Sequence, residues 1–501
     1  MSLRAALTGV VLSLGVPGAA FAQERPVVMT ASGPVKGVSE GGEVMFKGMP
    51  FAAPPVGPLR WKPPAPPAAW TSPRDASDFS GICVQPSRPD GVLAAGAGRP
   101  QSEDCLYLNV FAPTAAKAAP VMVWIHGGAH RFGSGIGPVY DGAAFARDGV
   151  VLVTLNYRLG ALGYFAHPGL TRAAKPGEPL ANYGAMDQMA ALAWVRKNIA
   201  AFGGDPKNVT VFGESAGGQS ILALLATPAA KGLFDKAVVE SGGGWNPAVS
   251  LAQEEARGVA RMQRAANLGP EATADQLRAV PADKLLDSVG GAAGVGPVED
   301  GRLMKETAAQ AFADGHAIDV PLIIGSNSFE ASLMRNFPVD VKVALGRMTP
   351  AQKAAYGDLG SDQNLAEALY TDTVMAGPAR WIAGKASTGA PSFLYHFSYV
   401  AAAQRGKVPG ASHGSEIVYV FETGGKVAAR AITPQDQAVS SLMHSCWVGF
   451  AKTGKPACNS GPAWPAYDPA SDHLMEFGVD SGVRTNFRKV QLDADQAAAG
   501  H

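Results

Sequence analysis

Apolar and polar positions along this chain fall into a repeating order of runs, spacings and breaks. "APVMVWIHGG" (119–128) and "VVLVTLNYRLG" (150–160) are nearly continuous apolar runs, the pattern of strands covered on both faces by helices. From Ala185 to Phe202, Met189, Leu192, Val195 and Ile199 recur at helical spacing; a turn follows at "GGDP", and "NVTVF" resumes as a buried strand. Strand, helix, strand is the unit of a parallel α/β sheet. Further strands are expected in "CLYLNVFAP", at Lys236 to Glu240, in "VPLIIGSN" and in "SFLYHFSYV", with short strands and turns in "GPVKGVSEGGEVMFKGMPFAAPP". The Pro-rich stretch from Pro54 to Pro73 carries Trp61 and Trp70, which need somewhere to pack, so it reads as surface wrapping and not as a linker. About 250–320 and 349–389 are Ala-rich, charged and helical in pattern, and are expected to be helical insertions over one end of the sheet. No repeat or linker divides the chain, so one domain over 23–501 is the simplest expectation.

The first 22 residues break this order. Arg4, an apolar run from Ala5 to Val16 and the small-x-small triplet Ala20-Phe21-Ala22 have the layout of a secretory signal cleaved near Ala22. The alternative, a membrane anchor, needs about 20 apolar residues, and the run is shorter. Secretion, or export to a periplasm, would make the four cysteines disulfide candidates with three connectivities. Sequence proximity favours Cys83 with Cys105 and Cys446 with Cys458; free thiols are the alternative for the second pair, because Cys446 sits in a helix-like stretch. No two cysteines have C-x-x-C spacing and no histidine lies near them at ligand spacing, so no metal site is expected.

Composition adds mainly exclusions. With 47% hydrophobic and 17% charged residues over 501 positions the chain can bury a large core. Lys plus Arg equals Asp plus Glu at 42 each, so no overall field attracts nucleic acid or an anionic membrane surface. The partner expected is a small molecule, with no stable membrane anchor; oligomeric state is open, a monomer being the default.

The chemistry begins at "VTVFGESAGG" (209–218). G-x-S-x-G marks the nucleophile elbow of serine hydrolases, but the pattern occurs three times, at Ser39, Ser215 and Ser412. Ser39 lies between two short alternating segments, which makes a hairpin turn, and Ser412 follows Pro409 and Gly410 with no strand before it, which makes a loop. Only Ser215 has a β-branched strand before it and a helix, "AGGQSILALLAT", after it. The elbow holds its serine in a strained conformation, so positions two before and two after must be small, and Gly213 and Gly217 are.

In a doubly wound hydrolase the order is serine, acid, histidine, each on a loop past a strand. Of the histidines after Ser215, His396 falls in a strand, His444 in a helix-like stretch, and His501 at the terminus, while His316 precedes any acid candidate. His413, on the Gly-flanked loop "GASHG", is the choice for the base; His473 in "PASDHLMEF" is a weaker loop alternative. Glu330 lies just past "VPLIIGSN" and is the choice for the acid, against Asp319 before that strand and Asp340 ten residues beyond. His126-Gly127-Gly128-Ala129 ends a strand upstream, so Gly128 and Ala129, with Ala216 after the serine, are expected to supply the oxyanion donors. His130 and Arg131 beside that loop offer a cation for a carboxylate-bearing substrate, against the alternative that Arg131 is solvated. Trp245 is a candidate for the acyl pocket, with a packed core Trp as the alternative.

"SEDCLYLNVFAP", "VMVWIHGGA", "VVLVTLNYRLGALGYF", "NYGAMDQMAALAWVRKNIAAFGGDPKNVTVFGESAGG", "GPVEDGRLM", "VPLIIGSN" and "FAKTGKPA" with "PAWPAYD", in this order, resemble the type-B carboxylesterases, a family that includes the cholinesterases and bacterial para-nitrobenzyl esterases. The resemblance implies an α/β-hydrolase fold with a mostly parallel central sheet, helices on both faces and helical insertions over the active-site end. It implies ester hydrolysis through a covalent acyl-enzyme, needing no cofactor, and places the same roles on Ser215, Glu330, His413, Gly128, Ala129 and Ala216. It also implies a Cys83–Cys105 bridge and ion pairs of Arg60 with Glu103 and Arg158 with Asp187; Cys446 with Cys458 is outside the usual pattern. Two stretches depart from the family: the acid loop reads Asn327-Ser328-Phe329-Glu330-Ala331, bulkier around the acid than N-x-D-E-G, and Ala129-His130-Arg131-Phe132 stands where aromatic or apolar residues are usual.

Overall fold

Residues that are apolar at every position need partners on both sides, and the central strands find them. The computed structural model describes residues 25–86, 96, 98–286, 295–427 and 432–501; the expected signal segment lies outside them. Among these residues one sheet of eleven strands crosses the molecule. In chain order these are β1 (Val38–Glu40), β2 (Glu43–Pro50), β3 (Tyr107–Pro113), β4 (Ala119–Ile125), β5 (Val151–Leu155), β6 (Gly204–Glu214), β7 (Lys236–Glu240), β8 (Leu322–Asn327), β9 (Ser392–Phe397), β10 (His473–Phe477) and β11 (Gly482–Thr485). Their spatial order is β11-β10-β9-β8-β7-β6-β4-β5-β3-β2-β1. From β5 through β4 to β10 every neighbouring pair is parallel; β5 to β1 at one edge and β10 with β11 at the other are antiparallel.

Alternate residues of β4 enter different cores. Val121, Val123 and Ile125 pack with Leu192, Val195 and Ile221 on one face; Met122 and Trp124 pack with Phe212, Trp447 and Phe450 on the other. The helices supplying those contacts are α1 (Tyr183–Asn198) and α2 (Ala216–Leu225) on the first face and α5 (Pro434–Thr453) on the second. Between them in sequence come α3 (Leu251–Ala266) and α4 (Gly377–Ala386), from the two insertions expected to be helical. A capping box starts α3, where the Ser250 side chain accepts from the Gln253 N–H and the Gln253 side-chain oxygen accepts from the Ser250 N–H.

The tail differs from the expectation. "PASDHLMEF", read as a loop around His473, is strand β10, pairing in parallel with β9 and antiparallel with β11. Its five residues mix His473 and Glu476 with apolar positions, too short a pattern to distinguish from a loop; the exposed edge of β9 decides it. The Pro-rich wrap is pinned as expected: Trp61 Nε1 donates to the Ala161 carbonyl and Trp70 Nε1 to that of Pro34, both at 2.7 Å. Cys83 bonds Cys105 and Cys446 bonds Cys458. Arg60 Nε meets Glu103 at 2.7 Å, and buried Arg158 clasps Asp187 through Nε at 2.8 Å and a terminal nitrogen at 2.7 Å.

Candidate active site

Strand β6 ends at Glu214 and helix α2 begins at Ala216, leaving Ser215 at the corner with φ 56° and ψ −122°. That left-handed φ is costly for a residue with a Cβ, and the neighbours enforce it. A Cβ on Gly217 would stand 2.0 Å from the Ile125 carbonyl oxygen, and one on Gly213 would stand 2.5 Å from the same atom. Strand β4 thus passes so close to the elbow that only glycine fits on either side of the serine. The Ser215 N–H is held by the Glu240 carbonyl at 2.8 Å. By contrast, Ser39 lies in β1 paired with Val44, just before the Gly41-Gly42 turn, and Ser412 lies on the His413 loop.

Glu330 follows β8 and His413 comes from a loop 83 residues later, with Nδ1 2.6 Å from Glu330 Oε2. The acid is fully buried and held from behind: its other oxygen accepts from Ser241 Oγ at 2.6 Å and from the Asn327 N–H at 2.7 Å. The two loops are stitched to each other as well. Phe329 N–H donates to the Ala411 carbonyl at 2.9 Å, Asn327 Nδ2 to the Ser412 carbonyl at 2.9 Å, and His413 N–H to Ser332 Oγ at 3.0 Å. Ser215 and His413 line one cavity of about 900 Å³ together with Gly128 and Ala129. His396 is in β9, His444 in α5 and His316 is exposed beside Glu306.

Three further buried carboxyls surround this set. Glu214, next to the serine, has Oε1 3.0 Å from His413 Nε2. Glu240 ends β7 and accepts from Trp447 Nε1 at 2.8 Å; Glu416, three residues after His413, accepts from Asn327 Nδ2. Burial disfavours their charged forms, raising Glu214 to about 7 and Glu240 to about 8 and holding Glu416 well above the usual carboxylate range. Burial alone would depress His413, but Glu214 and Glu330 favour its imidazolium and the net direction is upward. These acids were not singled out from sequence. The available signals were Glu240 closing the apolar run "KAVVE" and Glu416 opening "EIVYVF".

The loop after β4, expected to hold the oxyanion donors, runs through Gly128, Ala129 and His130, with φ of 107°, 54° and 55°. The loop closes on itself, the Arg131 and Phe132 N–H groups donating to the Gly128 carbonyl at 3.0 and 3.1 Å. A Cβ on Gly128 would meet the Phe132 carbonyl oxygen at 2.0 Å.

The residues expected to contact substrate separate. Arg131 lines a second cavity of about 670 Å³, which shares Ala129, Asn336 and Phe337 with the first. His130 lines neither: it is fully buried, and burial lowers its pKa to about 4, so it is a neutral ring and cannot supply the cation expected of it. Gly244 and Asn246 line the second cavity, while the Trp245 ring between them packs on Trp381 and on His501, centroids 6.5 and 5.1 Å away.

A mostly parallel sheet, helices on both faces and a strained serine between strand and helix define an α/β hydrolase. The carboxylesterase family model matches residues 24–355 and 348–494. Para-nitrobenzyl esterase of Bacillus subtilis is 40% identical over 467 residues, covering 88% of this chain and 92% of the relative. Fumonisin B1 esterase of Sphingopyxis macrogoltabida is 35% identical over 504 residues, with 93% and 89% covered. A carboxylesterase structure from Geobacillus stearothermophilus superposes with a TM-score of 0.81 at 33% identity, covering 95% of this chain and 100% of the other. The chain belongs to the carboxylesterase family and is a carboxylic ester hydrolase. Among its described residues no helix is long and apolar enough to cross a membrane.

Proposed function

We propose that this protein is an exported serine carboxylesterase acting through Ser215, His413 and Glu330. His413 Nε2 takes the hydroxyl proton as Ser215 Oγ attacks the ester carbonyl, and Glu330 holds the other ring nitrogen and stabilises the imidazolium. The Gly128, Ala129 and Ala216 N–H groups bind the oxyanion as it forms. His413 then protonates the departing alcohol, leaving an acyl group on Ser215. Water that gives its proton to His413 attacks the acyl carbon, and the carboxylic acid leaves as Ser215 regains its hydrogen. The supporting observation is that His413, which lines the same cavity as Ser215, is held by buried Glu330 at 2.6 Å.

Export with cleavage near Ala22 accords with the two disulfides, which persist in an oxidising compartment. The test is turnover of short-chain para-nitrophenyl esters by the mature chain, with Ser215→Ala as control. A burst of nitrophenol equal to the enzyme concentration, absent from the variant, is expected. No ester turnover, or equal turnover by the variant, overturns the proposal.

A further inference from the structure

His130 follows the two expected loop donors, and its ring leaves the cavity to reach the elbow helix. Nε2 lies 3.1 Å from Ser220 Oγ. That hydroxyl lies 2.8 Å from the Ala216 carbonyl oxygen and accepts from Gln188 Nε2 at 3.0 Å. The ring nitrogen and the hydroxyl share one hydrogen bond, whichever of the two donates it, and the hydroxyl also reaches the Ala216 carbonyl. The remaining ring nitrogen faces the backbone at Gly296, where a Cβ would stand 3.2 Å from it. The ring packs on Tyr164 at a centroid distance of 4.9 Å, and the His130 carbonyl accepts from the Gly160 N–H at 2.7 Å. Ring and backbone are therefore fixed independently, in a residue at φ 55° that follows another at 54°.

We propose that His130 is a positioning residue that ties the two halves of the oxyanion hole together, joining the Gly128-Ala129 loop through Ser220 to the turn of α2 that carries the Ala216 N–H. The inference rests on the esterase reading above. Three donors from two chain segments can bind one oxygen only if the segments keep a fixed separation, and backbone sterics do not set it: Ala129 and His130 occupy a conformation that L residues leave when free. The His130–Ser220–Ala216 relay supplies that constraint without touching substrate. Gln188 on α1 also donates to Ser220 Oγ, so the hydroxyl is held from three sides. A neutral ring suits the task, because a permanent cation beside the elbow would be buried without a counter-charge.

Since losing one oxyanion donor costs roughly 10²–10³ in kcat, loosening two by a fraction of their range should cost about tenfold. His130→Phe keeps a ring and removes its nitrogens; His130→Gln restores an amide that can donate or accept on a flexible stem; Ser220→Ala removes the hydroxyl partner. For each, kcat and KM on para-nitrophenyl butyrate, inhibition by an aryl trifluoromethyl ketone and the melting temperature are measured. The ketone adds reversibly to the serine and places an oxyanion in the hole. In His130→Phe we expect kcat to fall about tenfold with KM within about twofold, and ketone affinity to fall in proportion to kcat/KM. His130→Gln should recover part of the loss, and the double variant with Ser220→Ala should lose no more than His130→Phe alone. Should His130→Phe fail to fold, Ser220→Ala carries the same comparison. Unchanged kcat in the folded variants, losses that multiply in the double variant, or ketone affinity that stays constant as kcat falls overturns the inference alone. An inactive wild type overturns the esterase reading and this inference with it.

Discussion

Glu214 Oε1 stands 3.0 Å from His413 Nε2, so the nitrogen expected to take the serine proton faces a second carboxylate on the opposite side of the ring from Glu330. In the proposed mechanism the residue before Ser215 therefore acts on the base. A negative charge there favours the imidazolium, which raises the His413 pKa and stabilises the cation formed during attack. Glu214→Gln removes that charge. The acidic limb of the kcat/KM profile should move to lower pH, by on the order of one unit, while the plateau falls. A limb that stays in place, or moves up, contradicts the assignment.

Glu240 predicts the pH dependence of stability. Its folded-state value of about 8 lies above the ordinary 4.5, because burial, opposed by the Trp447 hydrogen bond, favours the neutral acid. Between those values the folded chain keeps a proton that the unfolded chain has lost, so stability falls as pH rises through this window. Glu240→Gln is neutral throughout and keeps the oxygen that accepts from Trp447. Its melting temperature should match wild type near pH 5 and exceed it by a few degrees at pH 8, and calorimetry across that range checks the crossover. A variant that runs parallel to wild type at both ends removes Glu240 as the cause.

Gly217 tests the packing of the elbow. Its missing Cβ makes room for the Ile125 carbonyl, and a methyl 2.0 Å from that oxygen must push β4 and α2 apart. The expected result for Gly217→Ala is a loss of ester turnover of at least about a hundredfold, comparable with losing an oxyanion donor, together with a lower melting temperature. Near-normal kcat would mean that the strand and helix can separate without disturbing Ser215.

Cys446 and Cys458 close a short loop, with a sequence separation of 12, at the far end of α5. Chain-entropy arithmetic for such a loop gives about 3 kcal/mol. Cys446→Ser with Cys458→Ser should lower the melting temperature and leave kcat within about twofold, since the bridge lies away from both cavities. Thermal scans of the double variant and of wild type, with esterase assays at 25 °C, separate the two effects.

How legible the site was depended on how local each signal is. The elbow could be read because strand, serine and helix are contiguous in "VTVFGESAGG", and Glu330 because it follows the apolar run of β8 directly. The buried acids could not: Glu214, Glu240 and Glu416 span 202 positions and meet only where β6, β7 and the His413 loop converge. His130 misled in an instructive way. A histidine and an arginine beside Gly-rich sequence suggest an exposed cationic rim, but the direction of each side chain is set by consecutive left-handed backbone angles that no periodicity encodes. The edge hairpin of β10 and β11 was hidden because five residues of mixed polarity become a strand only when a neighbour offers its edge.

The stitching of the Phe329 and Ser412 loops also bears on the order of assembly. The elbow needs β4, β6, the start of α2 and the Glu240 carbonyl at the end of β7, all within the first 240 residues, whereas the expected base arrives from position 413, beyond both insertions, and docks on a loop that lies between them. A chain stopped anywhere before residue 413 lacks the group proposed to take the serine proton.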